Sequence, residues 1–252
     1  MEPRLPLTPE EEQESYSKYY YMETPAPDPA LMDSAISKPL DPADALKMSD
    51  INDLFKPGYL ASERGYCFMP DGSGYVSVLT PMTGATVEMI DWWFSWHPLH
   101  PLRYKLWNPG YHFDLQINET DRKRLTDKSI PIRERNWGCT HLVTEDCSVP
   151  GAPPSPGSGA RTFPIGFNPP SDVGFDMSLF DDTATAICST RGVGGMVHFA
   201  RKTPTGIELR TRFWFPPNMP EMMLIGLTVH NIMEYGRLAV LLPLIYAEES
   251  GK

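Results

Sequence analysis

The sequence predicts an α+β fold in which an antiparallel sheet is followed by one long C-terminal helix. Three observations predict it. Six short runs between residues 111 and 215 are rich in β-branched and aromatic side chains and are separated by turn residues. Residues 219–249 instead form one apolar stretch far too long for a strand. Between residues 60 and 97 the pattern passes from alternation to helical spacing, with no internal repeat anywhere.

Residues 1–60 read as a proline-rich acidic arm and 61–252 as the main domain. The arm holds nine of the 27 prolines and sets twelve acids against five bases. "EEEQESYSKYYY" forms a short helix, and "DPADALKMSDINDLF" a better one opened by Asp41 with Pro42 in its first turn. Too polar for a core of its own, the arm wraps the main domain or joins two subunits in a homodimer.

"GYCFMPDGSGYVSVLTPM" alternates around a turn and predicts a hairpin. "TVEMIDWWFSWH" has helical spacing and carries Trp92, Trp93, Phe94 and Trp96, while "HPLHPL" after it reads as irregular. Strands follow at 111–117, 140–146, 161–167, 183–190, 195–202 and 207–215, the last two joined by the tight-turn signal "TPTG". "DRKRLTDK" reads as a solvated turn and 149–160 as a flexible loop. The terminal helix contains Pro243, which predicts a kink near Val240.

A net charge of -10 excludes a phosphate-binding surface, and with it nucleic acid and anionic membrane. The four cysteines make no CxxC pair and no apolar segment follows a basic N-terminus, the pattern of a reduced, cytoplasmic protein. His230, Asn231, Glu234 and Arg237 interrupt residues 222–246, so that stretch reads as a buried globular helix and not a membrane span.

His230 and Glu234 stand one helical turn apart, about 5–6 Å at Cβ, so the pair can offer a nitrogen and an oxygen to one cation. By spacing alone the plainer reading is a hydrogen-bonded pair at a helix surface; it is burial of the carboxylate that favours a metal. The other histidines are His97, His100, His112, His141 and His198. Strand spacing puts His141 and Glu145 on one face.

"DWWFSWHPLHPLRYKLWNPGYH", "HLVTED" and "HNIMEYGRLAVLLPLIYAE" together resemble the diacetylphloroglucinol and phloretin hydrolase family across roughly residues 60–250. The resemblance implies a Bet v 1-like fold, a curved antiparallel sheet gripping the C-terminal helix. It also implies zinc held by His112, Glu145, His230 and Glu234, although iron, manganese or cobalt suits the same ligands. The implied reaction is hydrolysis of the carbon–carbon bond between an acyl group and a phenolic or polyketide ring. The ring carbon leaves only once protonated, so a general acid and phenol-binding groups are required. Tyr104 matches a family tyrosine that contacts a phenol, and His198 is the candidate proton donor or second phenol contact. Trp93, Trp96, Trp107 and Phe213 are candidate pocket walls, with Phe213 where a second phenol-binding tyrosine would be expected. Cyclisation or isomerisation in the same cage, or simple carriage of a hydrophobic ligand, are the alternatives.

Overall fold

A computed structural model describes residues 4–23, 26–151, 159–190 and 194–251. The arm contains α1 (Pro9–Glu12) and α2 (Pro29–Ile36). A hairpin of β1 (Gly65–Phe68) and β2 (Gly74–Thr83) leads into α3 (Val87–Trp96) and α4 (Pro101–Trp107). Then come β3 (His112–Gln116), α5 (Glu119–Thr126), β4 (Thr140–Glu145) and β5 (Arg161–Asn168). The chain finishes with β6 (Ala184–Ser189), β7 (Gly195–Thr203), β8 (Gly206–Phe215) and α6 (Glu221–Glu249).

All eight strands join one antiparallel sheet in the order β1-β2-β8-β7-β6-β5-β4-β3. The chain leaves the sheet at β2 for α3 and α4 and re-enters at its far edge through β3, so those helices bridge the two ends. With α6 packed against the sheet, this is the Bet v 1-like arrangement.

Alternation along β7 and β8 shows how the sheet is buried on both faces. His198 and Ala200 on β7, and Leu209, Thr211 and Phe213 on β8, face α3 and α6. Val197, Phe199, Arg210, Arg212 and Trp214 face the other way, where residues 42–64 cover them. Farther upstream, Tyr16, Tyr19 and Tyr20 are buried in the same core, Tyr16 edge-on to Trp96 of α3 at 5.1 Å. Arg237 of α6 donates to the carbonyls of Tyr19 (2.6 Å), Met22 (2.9 Å) and Leu106 (2.7 Å), tying α6 to α4 and the arm.

Several local expectations change. Asp41 does cap Ala43 N at 2.9 Å, but residues 42–55 form two 3₁₀ segments, Pro42–Asp44 and Met48–Phe55, and not one helix. Side chains of β8 reach this segment: Leu46 O accepts from Trp214 Nε1 and Leu54 O from Arg210, both at 2.8 Å. "HPLHPL" opens a helix, because His100 Nδ1 accepts from Leu102 N at 3.2 Å and Pro101 occupies the first turn. "DRKRLTDK" lies largely in α5, capped by Asn118 on Asp121 N at 2.8 Å. α6 is a single 29-residue element through Pro243. Most of the loop expected at 149–160, residues 152–158, lies outside the described residues. Among the described residues no helix is long and apolar enough to cross a membrane.

Candidate metal centre

His112 opens β3 and pairs across the ladder with Glu145, the last residue of β4. The register breaks between His112 and Asp114, a bulge that sets the His112 side chain apart from the regular alternation. α6 brings His230 and Glu234 against this corner. It approaches closely because residue 226 is glycine: a β-carbon there would lie 2.3 Å from Cys147 O.

The four side chains converge. His112 Nε2 lies 3.2 Å from His230 Nε2, 3.4 Å from Glu145 Oε2 and 3.5 Å from Glu234 Oε2. His230 Nε2 lies 3.8 Å from Glu234 Oε2. His112, Glu145 and His230 place ligand atoms within 4.8 Å of one another.

Both imidazoles are oriented from behind. His112 Nδ1 bonds Tyr104 O at 3.2 Å and His230 Nδ1 bonds Asp146 O at 3.1 Å. A carbonyl only accepts, so each Nδ1 carries the proton and each Nε2 presents a bare lone pair. Burial, joined at His112 by the neighbouring His230, holds both rings below the usual imidazole range, so they stay neutral. Two imidazole lone pairs and two carboxyl groups therefore converge on one point. Such a donor set fits a divalent cation of the kind that takes mixed nitrogen and oxygen ligands, and backbone carbonyls on Nδ1 are the usual outer partners of metal-bound histidines.

The carboxylates are held as well. Glu145 accepts from the Tyr104 hydroxyl on Oε2 and from the Cys147 thiol on Oε1, the latter at 3.3 Å. Glu234 Oε1 accepts from Asn231 at 2.9 Å. Burial first, and Glu145 second, push the Glu234 carboxyl well above the usual range, a cost that a bound cation removes.

Tyr104 stacks on His112 with centroids 4.0 Å apart and planes 7° off parallel, besides donating to Glu145. Trp107 lies edge-on to His112 at 5.4 Å and to Tyr235 at 5.2 Å. His198 bonds Thr211 through Nδ1 at 2.9 Å and touches Tyr235 (4.9 Å), Phe213 (5.8 Å) and Phe94 (6.1 Å). Burial pushes His198 down to about 3, leaving it uncharged at neutral pH. Trp93 stacks on His97 at 5.3 Å and meets Trp107 edge-on at 5.9 Å. Trp96 points elsewhere: it stacks on Trp92, meets Tyr16 of the arm and lies under the Arg103 guanidinium at 4.1 Å.

Four neighbours carry no signal of their own in the sequence. Cys147 and Asn231 hold the carboxylates, and His97 joins the site by stacking on Tyr104 at 6.1 Å. The fourth, Tyr235, reads as an ordinary core aromatic until it is placed in space. An open groove of about 760 Å³ between β2 and α6, lined among others by Val78, Pro81, Met233, Val240 and Leu244, shares no residue with the cluster.

A buried His/Glu centre between the edge of an antiparallel sheet and its C-terminal helix defines the class: an α+β protein with a candidate metal-binding cluster. Residues 46–247 match the model of the DAPG hydrolase PhiG domain, and the chain belongs to that family. It is 29% identical over 268 residues to phloretin hydrolase of Eubacterium ramulus, spanning 95% of this chain and 92% of that protein. It is 28% identical over 273 residues to 2,4-diacetylphloroglucinol hydrolase of Pseudomonas protegens, spanning 92% of this chain and 84% of that one. Among solved structures, the ginseng major latex-like protein 151 of Panax ginseng aligns at TM-score 0.36 and 12% identity, covering 66% of this chain and 99% of that one.

Proposed function

We propose that this chain is a zinc-dependent hydrolase that cleaves the carbon–carbon bond between an acyl group and a phenolic ring. The observation that carries the proposal is the convergence of two imidazole lone pairs and two carboxyl groups. The names of its relatives, both hydrolases of acylated phenols, supply the substrate class.

His112, Glu145, His230 and Glu234 are the ligands in this proposal. Zinc bound there supplies a Lewis acid for a ketone oxygen and brings the pKa of water to about 7. The carbonyls of Tyr104 and Asp146 fix the histidine tautomers, while the Tyr104 hydroxyl, Cys147 and Asn231 fix the carboxylates. Trp107 and Phe213 flank the centre and His198 with apolar surface that excludes water. Of the two roles open to His198, the neutral state favours a phenol contact, since an imidazole at about 3 holds no imidazolium proton at neutral pH.

The test is elemental analysis of untagged protein together with an acylphenol assay that measures the carboxylic acid released. We expect about one zinc per chain and acid release, with His230→Ala losing both while remaining folded. Wild-type turnover in metal-free protein overturns the zinc proposal; products without a carboxylic acid overturn hydrolysis.

A further inference from the structure

Tyr235 is completely buried, yet its hydroxyl has no hydrogen-bond partner among the described residues. A phenylalanine would fill the same space against Trp107 and His198 without that cost, so packing does not account for the hydroxyl. The Trp107 indole N–H, on a ring that touches both His112 and Tyr235, is likewise buried without a partner. Two unsatisfied polar groups therefore lie beside the metal cluster, on the side that leads to His198. Around them the strand and helix surfaces are apolar, with Phe213 and Phe94 closing on His198.

We propose that Tyr235 is a substrate-binding residue whose hydroxyl, together with the Trp107 N–H, bonds a ring hydroxyl of a polyhydroxylated aryl ketone. This rests on the acylphenol hydrolase proposal above and adds the groups that select the ring. The two donors differ in a useful way. The indole only donates, whereas the Tyr235 hydroxyl both donates and accepts, so together they match a phenolic oxygen and its proton. A ring without that hydroxyl would leave both groups buried and unpaired, and a site of this kind rejects such analogues strongly.

The experiment compares wild type with Tyr235→Phe as purified, using calorimetric binding of 1,3,5-trihydroxybenzene, metal content and thermal unfolding. We expect the variant to bind the triphenol about tenfold more weakly, to keep its metal and to unfold at the wild-type temperature or higher. A purely structural tyrosine would give the opposite pattern, lower stability with unchanged affinity, and that result overturns the assignment. Unchanged affinity in a variant of unchanged stability overturns it too, while leaving the hydrolase proposal intact if wild type binds the triphenol and releases acid from its acyl derivatives. Wild-type protein that neither binds the triphenol nor cleaves acylphenols overturns both.

Discussion

Five of the six histidines are buried, and burial holds all five below the usual imidazole range. For His97 and His198 the folded value falls to about 3, against 6.5 in an unfolded chain. Below pH 6.5 the unfolded chain therefore takes up protons that the native protein refuses. Each of these two histidines then costs stability as pH falls from about 6.5 toward 3, by up to about 1.4 kcal/mol per pH unit. Asp91 works the other way, because burial raises it from 3.8 to about 6 and the native protein binds its proton first. Glu234, also raised, acts in the same sense as Asp91, but the five lowered histidines outnumber the two carboxyls, so the unfolding temperature should drop between pH 7 and pH 5. His97→Gln keeps a donor for the Trp93 carbonyl, which His97 Nδ1 meets at 2.7 Å, and should flatten that slope by one histidine's share. A flat profile for wild type over this range would contradict neutral buried imidazoles. Little of this was legible in the sequence, where "HPLHPL" reads as irregular and nothing separates His97 from its neighbour His100.

At the scale of elements, the strands were readable because runs rich in β-branched and aromatic residues lie between turn signals. The missed helices α2, α4 and α5 are short and begin at caps, Asp28, His100 and Asn118, whose role becomes plain only when the bonded amide is seen. Of the candidate metal cluster, helical spacing offered only His230 with Glu234. The pairing of His112 with Glu145 depends on a register between strands 24 residues apart or more in sequence, which no local pattern encodes. Two glycines of α6 turn this geometry into a prediction. Gly226 lets the helix approach the segment that carries Glu145 and Asp146, and Gly226→Ala would drive a β-carbon into Cys147 O. That should displace α6 from β4, cost about 1–3 kcal/mol and weaken metal binding, since His230 and Glu145 sit on opposite sides of the shift. Gly236 has open space where its β-carbon would be, so Gly236→Ala should stabilise the protein by about 0.5–1 kcal/mol and leave metal content unchanged. Metal analysis and thermal unfolding of the pair separate a steric role from the helix propensity of glycine. Equal metal content in the two variants would remove the close approach from the account of the site.

Across the whole molecule, β8 serves two faces with different duties. Thr211 bonds His198 on the inner face, whereas Arg210 and Arg212 turn outward and are buried beneath residues 42–64. Both guanidiniums bond the single carboxylate of Glu63, on the segment leading out of the arm. Burial works to raise that carboxyl, and Arg212 and Arg210 outweigh it, so Glu63 stays ionised. The arm is thereby locked to the sheet by a partly dehydrated ion cluster, and breaking one partner of such a cluster costs about 3–5 kcal/mol. Glu63→Gln keeps the shape but leaves two buried cations without a counter-charge. We expect its unfolding temperature to fall by several degrees, with little recovery in salt, because buried charges are poorly screened. The inner face does not see the change: Thr211 and His198 keep their bond, and the proposed metal ligands lie on β3, β4 and α6. Activity per folded molecule at 25 °C and metal content should therefore match wild type. A variant that remains stable but loses turnover would show instead that the outer face of β8 sets the position of His198, and that the two faces of the sheet are mechanically coupled.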